Sequence, residues 1–428
     1  MDTRTPHPQD DSLPDSFLID LLLRHFYQRG EIQLFEMSRR IGLNRDRLEG
    51  LMEQMRSAHW ADIPRRGEFD GDMTYALTEA GYQQAKLAFE KCQYVGPAPV
   101  TLAEYVAMVK AQSARLVPVT RMPLQAALGD LVIDDTLLPS LGSALNSGKA
   151  IYFYGPSGSG KTYLAEHLVK TLSGQIWVPH AIYVDGEVIL VFDARVHHLV
   201  APTALGVRSL CRDLTQDERW VRVQRPVVMA GGELTLSMLE LEFDTVSRLY
   251  VAPAQLKANN GIFIVDDLGR QRISPRDLLN RWIVPLDRHL DYLGLHTGAK
   301  IEVPFDVSVI FLSNLAPEAL TDPAFSRRLG YKMYLGALSE SNYRKVLEQT
   351  CRRLNIAFDV DCVDYMVNNL HAIYDQPLLA CTPYDVISKI RDRANYLEER
   401  PCLTPKSIEW AWNLYFGIAE TPTEESQL

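Results

Sequence analysis

The chain has 428 residues, 46% of them hydrophobic and 23% charged, a composition that suits a globular protein with two or three domains and sizeable cores. Its formal net charge of −10 argues against coating nucleic acid or an anionic membrane through the overall field, although a local basic face is compatible with it. No apolar run is long enough to span a bilayer and the first residues lack the apolar centre of a signal peptide, so a cytoplasmic location without membrane insertion is expected; six scattered cysteines with no C-x-x-C pair predict reduced, mostly buried thiols.

Residues 1–14 are polar and rich in Pro and Asp, and 419–428 are similar, so both ends are expected to be disordered. From 15 to 93 the pattern is helical: apolar residues at 17–23 on a first helix, 34–41 on a second, 45–59 on a third. Gly42 stops the second helix and Asn44 is placed to cap the third. Residues 62–72, with Gly67 and Gly71, predict a hairpin tip, after which 73–78 runs into another helix at Glu79. This arrangement resembles a winged helix-turn-helix domain, including the Tyr75-x-Leu77-Thr78-x-x-Gly81 pattern after the presumed wing. Arg39, Arg40, Arg45, Arg47, Arg65 and Arg66 stand where phosphate contacts would be needed. Acids in the same stretch (Glu36, Asp46, Glu49, Glu53, Glu68, Asp70, Asp72) leave it close to neutral. DNA contact through 39–66 and protein docking therefore both remain, with docking or oligomerisation favoured.

A linker at 94–123 follows, with Gly96-Pro97-Ala98-Pro99 as a stiff turn and a helix over 102–116. Leu131-Val132-Ile133 are placed to pack against an adenine ring or, equally, in a core. The apolar run at 150–154 predicts a buried strand, and the next eight residues, Gly155-Pro156-Ser157-Gly158-Ser159-Gly160-Lys161-Thr162, match the Walker A phosphate-binding loop. Glycines at that spacing let backbone N–H groups point at phosphate oxygens, and the following helix directs its positive dipole end at them. Lys161 is expected to reach the β- and γ-phosphates of ATP, and Thr162 to offer a hydroxyl to Mg²⁺.

Further on, 181–190 predicts a hairpin around Asp185-Gly186, and 221–229 with 231–243 a possible second strand pair. Gly261 to Asp267 is a strand of four apolar residues ending in two carboxylates, the pattern of a Walker B element. Asp266 is expected to hold the Mg²⁺ and Asp267 to orient or deprotonate the attacking water. A helix is expected over 275–293, a hairpin at 297–304, and then a buried strand at 307–313 tipped by Asn314. Asp322 to Arg328 precedes a last strand at 331–335, and helices follow near 340–354, 361–371 and 383–397.

Walker A, Walker B, the Asn-tipped strand and the Arg327-Arg328 pair resemble, in order and spacing, the AAA+ ATPase family over 124–417. The resemblance implies an α/β P-loop NTPase: a parallel-sheet core at 124–336 with β-hairpin insertions, a C-terminal helical lid at 337–418, and here an added N-terminal winged-helix domain. It implies Asn314 as sensor 1 and Arg327 or Arg328 as an arginine finger acting on a neighbouring subunit's nucleotide. It further implies ATP and Mg²⁺ as cofactors, a homo-oligomeric ring, expected to be a hexamer, and a protein or nucleoprotein client; an ATP-switched regulator with slow hydrolysis is the alternative. Two departures stand out: Asp267 occupies the place where most relatives carry Glu, and Cys381-Thr382-Pro383-Tyr384-Asp385 stands where many carry a sensor 2 arginine.

Overall fold

The computed structural model describes residues 13–65, 73–129, 131–172, 174–200, 217–320 and 327–418. The tails apart from Leu13 and Pro14, the part of the expected hairpin tip at 66–72 with Arg66, and 321–326 ahead of Arg327 lie outside these residues. Leu13 is buried among the helices that follow it. By compactness the chain divides into two units, one made of 1–118, 172–265 and 270–309, the other of 119–171, 266–269 and 310–428.

The first unit begins with helices Asp15–Arg29, Leu34–Ile41 and Arg45–Ser57. Gly42 ends the second of them in the left-handed conformation, φ 73°, and Asn44 accepts the Arg47 N–H at 2.7 Å to start the third. Thr74–Leu77 is the central strand of a three-stranded antiparallel sheet between Ile32–Gln33 and Ala61–Arg65, and Thr78 then caps helix Glu79–Lys91. Leu18, Leu22, Met37, Ile41, Leu48, Leu51 and Met55 form the core beneath.

The hairpin expected at 181–190 is present as Ala181–Val184 and Glu187–Leu190, joined through Asp185 and Gly186, both at positive φ as a tight two-residue turn requires. Its residues enter two cores. Ala181 and Val188 are buried in the same core as the N-terminal helices, and the Phe17 ring lies 4.5 Å from the Tyr183 ring. The alternate residues Ile182 and Ile189 enter a second core with Val100, Tyr105, Trp177 and Tyr250. Both faces of the hairpin are therefore covered, as suits its unbroken apolar runs 181–184 and 188–190, whose successive side chains point to opposite faces.

The strand pair expected within 221–243 is resolved differently. Trp220–Gln224 pairs antiparallel with Gln175–Pro179, whereas Val227–Ala230 runs parallel to Ile262–Val265. Pro226, which has no N–H to give a ladder, separates the two roles. The helix expected over 275–293 is also shorter. Helices Pro275–Arg281 and Ile283–Arg288 end where His289 turns left-handed, and Leu290–Gly294 pairs instead with Lys300–Pro304. The buried carboxylate of Asp291 receives the Arg281 guanidinium at 2.6 Å, which folds the strand back on the helix it was expected to continue.

Five strands form one sheet: β1 (Ala150–Tyr154), β2 (Val227–Ala230), β3 (Ile262–Val265), β4 (Ser308–Ser313) and β5 (Leu329–Tyr334). Their order is β5–β1–β4–β3–β2. β1 pairs in parallel with both β4 and β5, and β2 with β3. Helix α1 (Lys161–Val169) follows β1 through the glycine loop.

In the second unit the helices Glu340–Leu354, Val360–Asp364, α2 (Thr382–Tyr396) and Pro405–Phe416 enclose a core of Tyr343, Leu347, Met366, Leu370, Val386, Ile390 and Trp412. His371, at the end of the π-helical turn Tyr365–His371, is buried in this core. Its Nδ1 lies 2.8 Å from the Gln376 carbonyl, which can only accept, so Nδ1 carries the proton and Nε2 accepts from the Tyr343 hydroxyl at 2.7 Å. Burial lowers the His371 pKa, opposed by the bond to Gln376. Because the unfolded ring titrates near about 6.5, the unfolded chain binds more protons just below that pH, and stability falls as pH drops through it. Thermal midpoints taken at pH 7.5 and 5.5 should show this drop, and His371→Gln should reduce it. Equal pH slopes in the two proteins would remove His371 as a contributor.

Candidate nucleotide-binding site

β1 is buried through Ile151, Tyr152 and Phe153, and its end delivers the chain to Gly155. Here φ is 147°, and a Cβ would lie 1.9 Å from the Leu335 carbonyl oxygen, while the N–H of Leu335 donates to Tyr154 O at 2.8 Å. Three residues on, Gly158 has φ 82°, and a Cβ would meet Cys381 Sγ at 2.4 Å. These glycines are thus required by the chain packed behind the loop. Gly160, also left-handed, opens α1, whose first-turn N–H groups have no acceptor within the helix.

Lys161 is buried, and its Nζ donates to Gly155 O at 3.0 Å and Pro156 O at 2.8 Å. Burial lowers its pKa, while Asp267 and then Asp266 pull it back up, so both acids act on this ammonium. Thr162 Oγ1 donates to Asp266 Oδ2 at 3.1 Å, and Asp266 Oδ1 accepts the Asp267 N–H at 2.8 Å. Asp267 itself sits at φ 51°, a left-handed position that a non-glycine residue adopts at some cost and that recurs at functional sites.

Asn314 is placed by its neighbours. Ser313 Oγ donates to Leu268 O at 2.8 Å and accepts the Leu315 N–H at 3.1 Å, while the Tyr152 hydroxyl donates to Leu315 O at 2.8 Å. The residues before and after Asn314 are therefore tied to the Asp266–Gly269 turn and to β1. Sequence reasoning misses both Tyr152 and Ser313, although the alternation Ile-Tyr-Phe-Tyr in β1 is a signal that could have drawn attention to the first.

Arg327 and Arg328 lie elsewhere. They precede β5, whose register places Leu329 beside Ala150 and Tyr334 beside Tyr154. The glycine loop leaves the Tyr154 end, so a strand of six residues, about 20 Å of chain, separates the two arginines from the loop of the same molecule. Arg327 is exposed there and Arg328 half-buried.

The loop fits a phosphate and a magnesium ion on two observations. Ser159 Oγ is buried without a hydrogen-bond partner, a deficit worth about 1–3 kcal/mol that an anionic oxygen inside the loop would relieve. The hydroxyl of Thr162 and the carboxylate of Asp266 converge as hard oxygen donors of the kind Mg²⁺ takes.

A glycine loop joining a parallel strand to a helix, with the next strand but one in the same sheet ending in carboxylates, fits a P-loop nucleoside triphosphatase core. A domain family described as a domain of unknown function (DUF8689) matches residues 339–414, which cover most of the C-terminal helical region. No curated protein sequence matches the chain. Among solved structures, NtrX from Brucella abortus is similar over 70% of this chain at 14% identity and a TM-score of 0.40; the match spans only 59% of the NtrX chain. Two RuvB structures from Thermotoga maritima are similar at 9% identity and TM-scores of 0.38. One, a proline-to-glycine mutant, is matched over 75% of this chain and 76% of its own; the other, described as a Holliday junction branch migration motor, over 67% and 71%. Strand order and loop geometry define the fold. Among the described residues, no helix is long and apolar enough to cross a membrane.

The contact behind Gly155 gives a direct test. Gly155→Ala should lower the urea midpoint of the nucleotide-free protein, at a cost above about 1 kcal/mol, because the new methyl meets backbone and the φ is strained. An unchanged midpoint would mean that the loop and Leu335 separate without penalty.

Proposed function

We propose that the chain is an AAA+ ATPase that binds ATP with Mg²⁺ in the loop 155–162 and hydrolyses it within a homo-oligomeric ring, a hexamer, to remodel a protein or nucleoprotein client. The observation that carries this reading is the meeting of Thr162 and Asp266 at 3.1 Å beside the buried ammonium of Lys161. In this reading Gly155, Pro156, Ser157, Gly158, Ser159 and Gly160 form the cradle, in which backbone N–H groups of residues other than Pro156, which has none, face the phosphates, and Lys161 leaves its loop carbonyls for the β- and γ-phosphates. Thr162 and Asp266 would hold Mg²⁺, which would supply charge to offset what develops on the phosphate oxygens. Asp267 takes a proton from the attacking water and Asn314 orients that water.

The separation of Arg327 and Arg328 from their own loop supports a role in trans, in which either arginine completes the site of a neighbouring subunit. Hydrolysis would then depend on assembly. The residues 15–93 are proposed as a winged-helix domain, 94–123 as a linker, 124–336 as the AAA+ core and 337–418 as its lid, in a cytoplasmic protein.

For the N-terminal domain the charge pairing favours a protein partner over DNA. Arg40 is paired with Glu36 and Arg45 with Glu49, each at 2.6 Å, Arg56 with Glu53 at 2.7 Å, and Arg47 with Asp15. Phosphates would have to compete for cations already satisfied on the same surface, whereas Phe35, 60% exposed on the second helix, suits a protein contact. A switch-like regulator with slow turnover is the second reading, and it is Asp267, one methylene shorter than Glu, that favours it.

Single-turnover hydrolysis measured against protein concentration separates the two. The ring predicts a rate that climbs steeply with concentration and is lost in Arg327→Ala or Arg328→Ala with ATP affinity retained. Slow turnover that ignores concentration, with ATP changing DNA or partner binding, supports the switch. Lys161→Ala should abolish nucleotide binding, whereas Asp267→Asn should spare binding and cut turnover by at least about a hundredfold, the scale of a lost general base. Normal hydrolysis by Asp267→Asn would end the role given to that residue.

A further inference from the structure

No arginine stands at the start of α2, where Cys381, Thr382, Pro383 and Tyr384 are found instead. What that segment offers the phosphate loop is close packing and one backbone bond. Measured to the position a Cβ would take, Cys381 Sγ lies 2.4 Å and Leu379 Cδ1 3.8 Å from Gly158, and Ala380 Cβ lies 3.7 Å from Gly160. The Cys381 N–H donates to Gly158 O at 3.0 Å.

The segment that makes this contact is itself held. Leu338 N–H donates to Leu378 O at 2.8 Å, Thr382 N–H to Leu379 O at 3.2 Å, and the Cys381 thiol lies 3.6 Å from the Tyr415 hydroxyl on the last helix. On the loop side, the carbonyl of a planar trans peptide points opposite to the N–H of the next residue. Fixing Gly158 O on Cys381 therefore turns the Ser159 N–H away from Cys381, and it donates to Pro156 O at 3.4 Å. Gly158, with no side chain and a left-handed φ, has little else to stop that peptide from flipping.

We propose that Cys381 is a positioning residue: its backbone N–H is the link by which the C-terminal helices hold the phosphate loop in its binding shape. The link itself stands on geometry; its consequence for nucleotide retention rests on the ATP-binding reading above. Nucleotide affinity then depends on α2 through a main-chain bond, in place of a charged side chain.

Proline at 381 removes the donor, and the observed φ of −78° suits its ring. Alanine removes the thiol and keeps the donor. Binding of N-methylanthraniloyl-ATP with Mg²⁺ to the full chain, followed by fluorescence, should be about fivefold to tenfold weaker in Cys381→Pro, the worth of one hydrogen bond. Faster dissociation should account for it. Cys381→Ala should restore affinity to within about twofold. A folded Cys381→Pro that binds as tightly as wild type, or an alanine variant as weak as the proline one, overturns the proposal. Hydrogen exchange in the nucleotide-free wild type supplies a readout that needs neither variant nor ligand: the Cys381 amide should be protected, and exchange at the rate of an open loop overturns the link outright. Should wild type bind no nucleotide, the ATP reading fails while exchange still judges the link.

Discussion

The hydroxyl of Thr162 and the carboxylate of Asp266 must come within hydrogen-bond reach, and the geometry of the site follows from that constraint. Thr162 is in the first turn of α1, so it can arrive only if the loop before it is tight. Asp266 follows directly on β3, so it can arrive only where a parallel strand stops at its carboxyl end. The same carboxylate accepts the N–H of Asp267, which bends the chain and leaves the second acid within electrostatic reach of Lys161. Two further ties, Ser313 to Leu268 and Tyr152 to Leu315, close the arrangement around Asn314. The loop, the two acids and Asn314 all lie just beyond the carboxyl end of a strand, which is where a parallel sheet leaves backbone and side chains free to face a ligand.

Much of this was legible in the residues. The glycine spacing at 155–160, the Asp pair after four apolar residues and the Asn after β4 are local patterns, each set by chain geometry over fewer than ten residues. The Asp185-Gly186 turn was legible for the same reason. What escaped depends on tertiary neighbours. The strand Leu290–Gly294 continues a helical apolar pattern, and only the pairing of Asp291 with Arg281 and of the strand with Lys300–Pro304 decides against helix. Val227–Ala230 reads locally as half of a hairpin, because its parallel partner lies more than thirty residues on. Likewise nothing in the loop sequence tells that Gly155 and Gly158 are crowded from behind by Leu335 and Cys381, since those contacts join segments about two hundred residues apart.

The helical region combines a packed aromatic core with a polar exception. His371 is held neutral between an obligate acceptor, Gln376 O, and a hydroxyl donor, Tyr343, with the Trp412 ring edge-on at 4.7 Å. A buried polar trio of this kind is tolerable because each partner satisfies the next. A few residues further along the chain, the 379–382 segment leaves the same core to touch the loop. Rigidity in the helices is thereby passed to backbone that would otherwise be free to rearrange.

The hairpin Ala181–Leu190, wedged between two cores, has one more implication. Its inner residues on one side, Ala181 and Val188, together with Leu249, are buried in one core with the N-terminal helices, and Phe17 of the first of these packs on Tyr183. An N-terminal truncation would strip that shield and leave oily surface in water, so the leading segment behaves as a permanent cladding of the hairpin beneath it and cannot be exchanged like a detachable module.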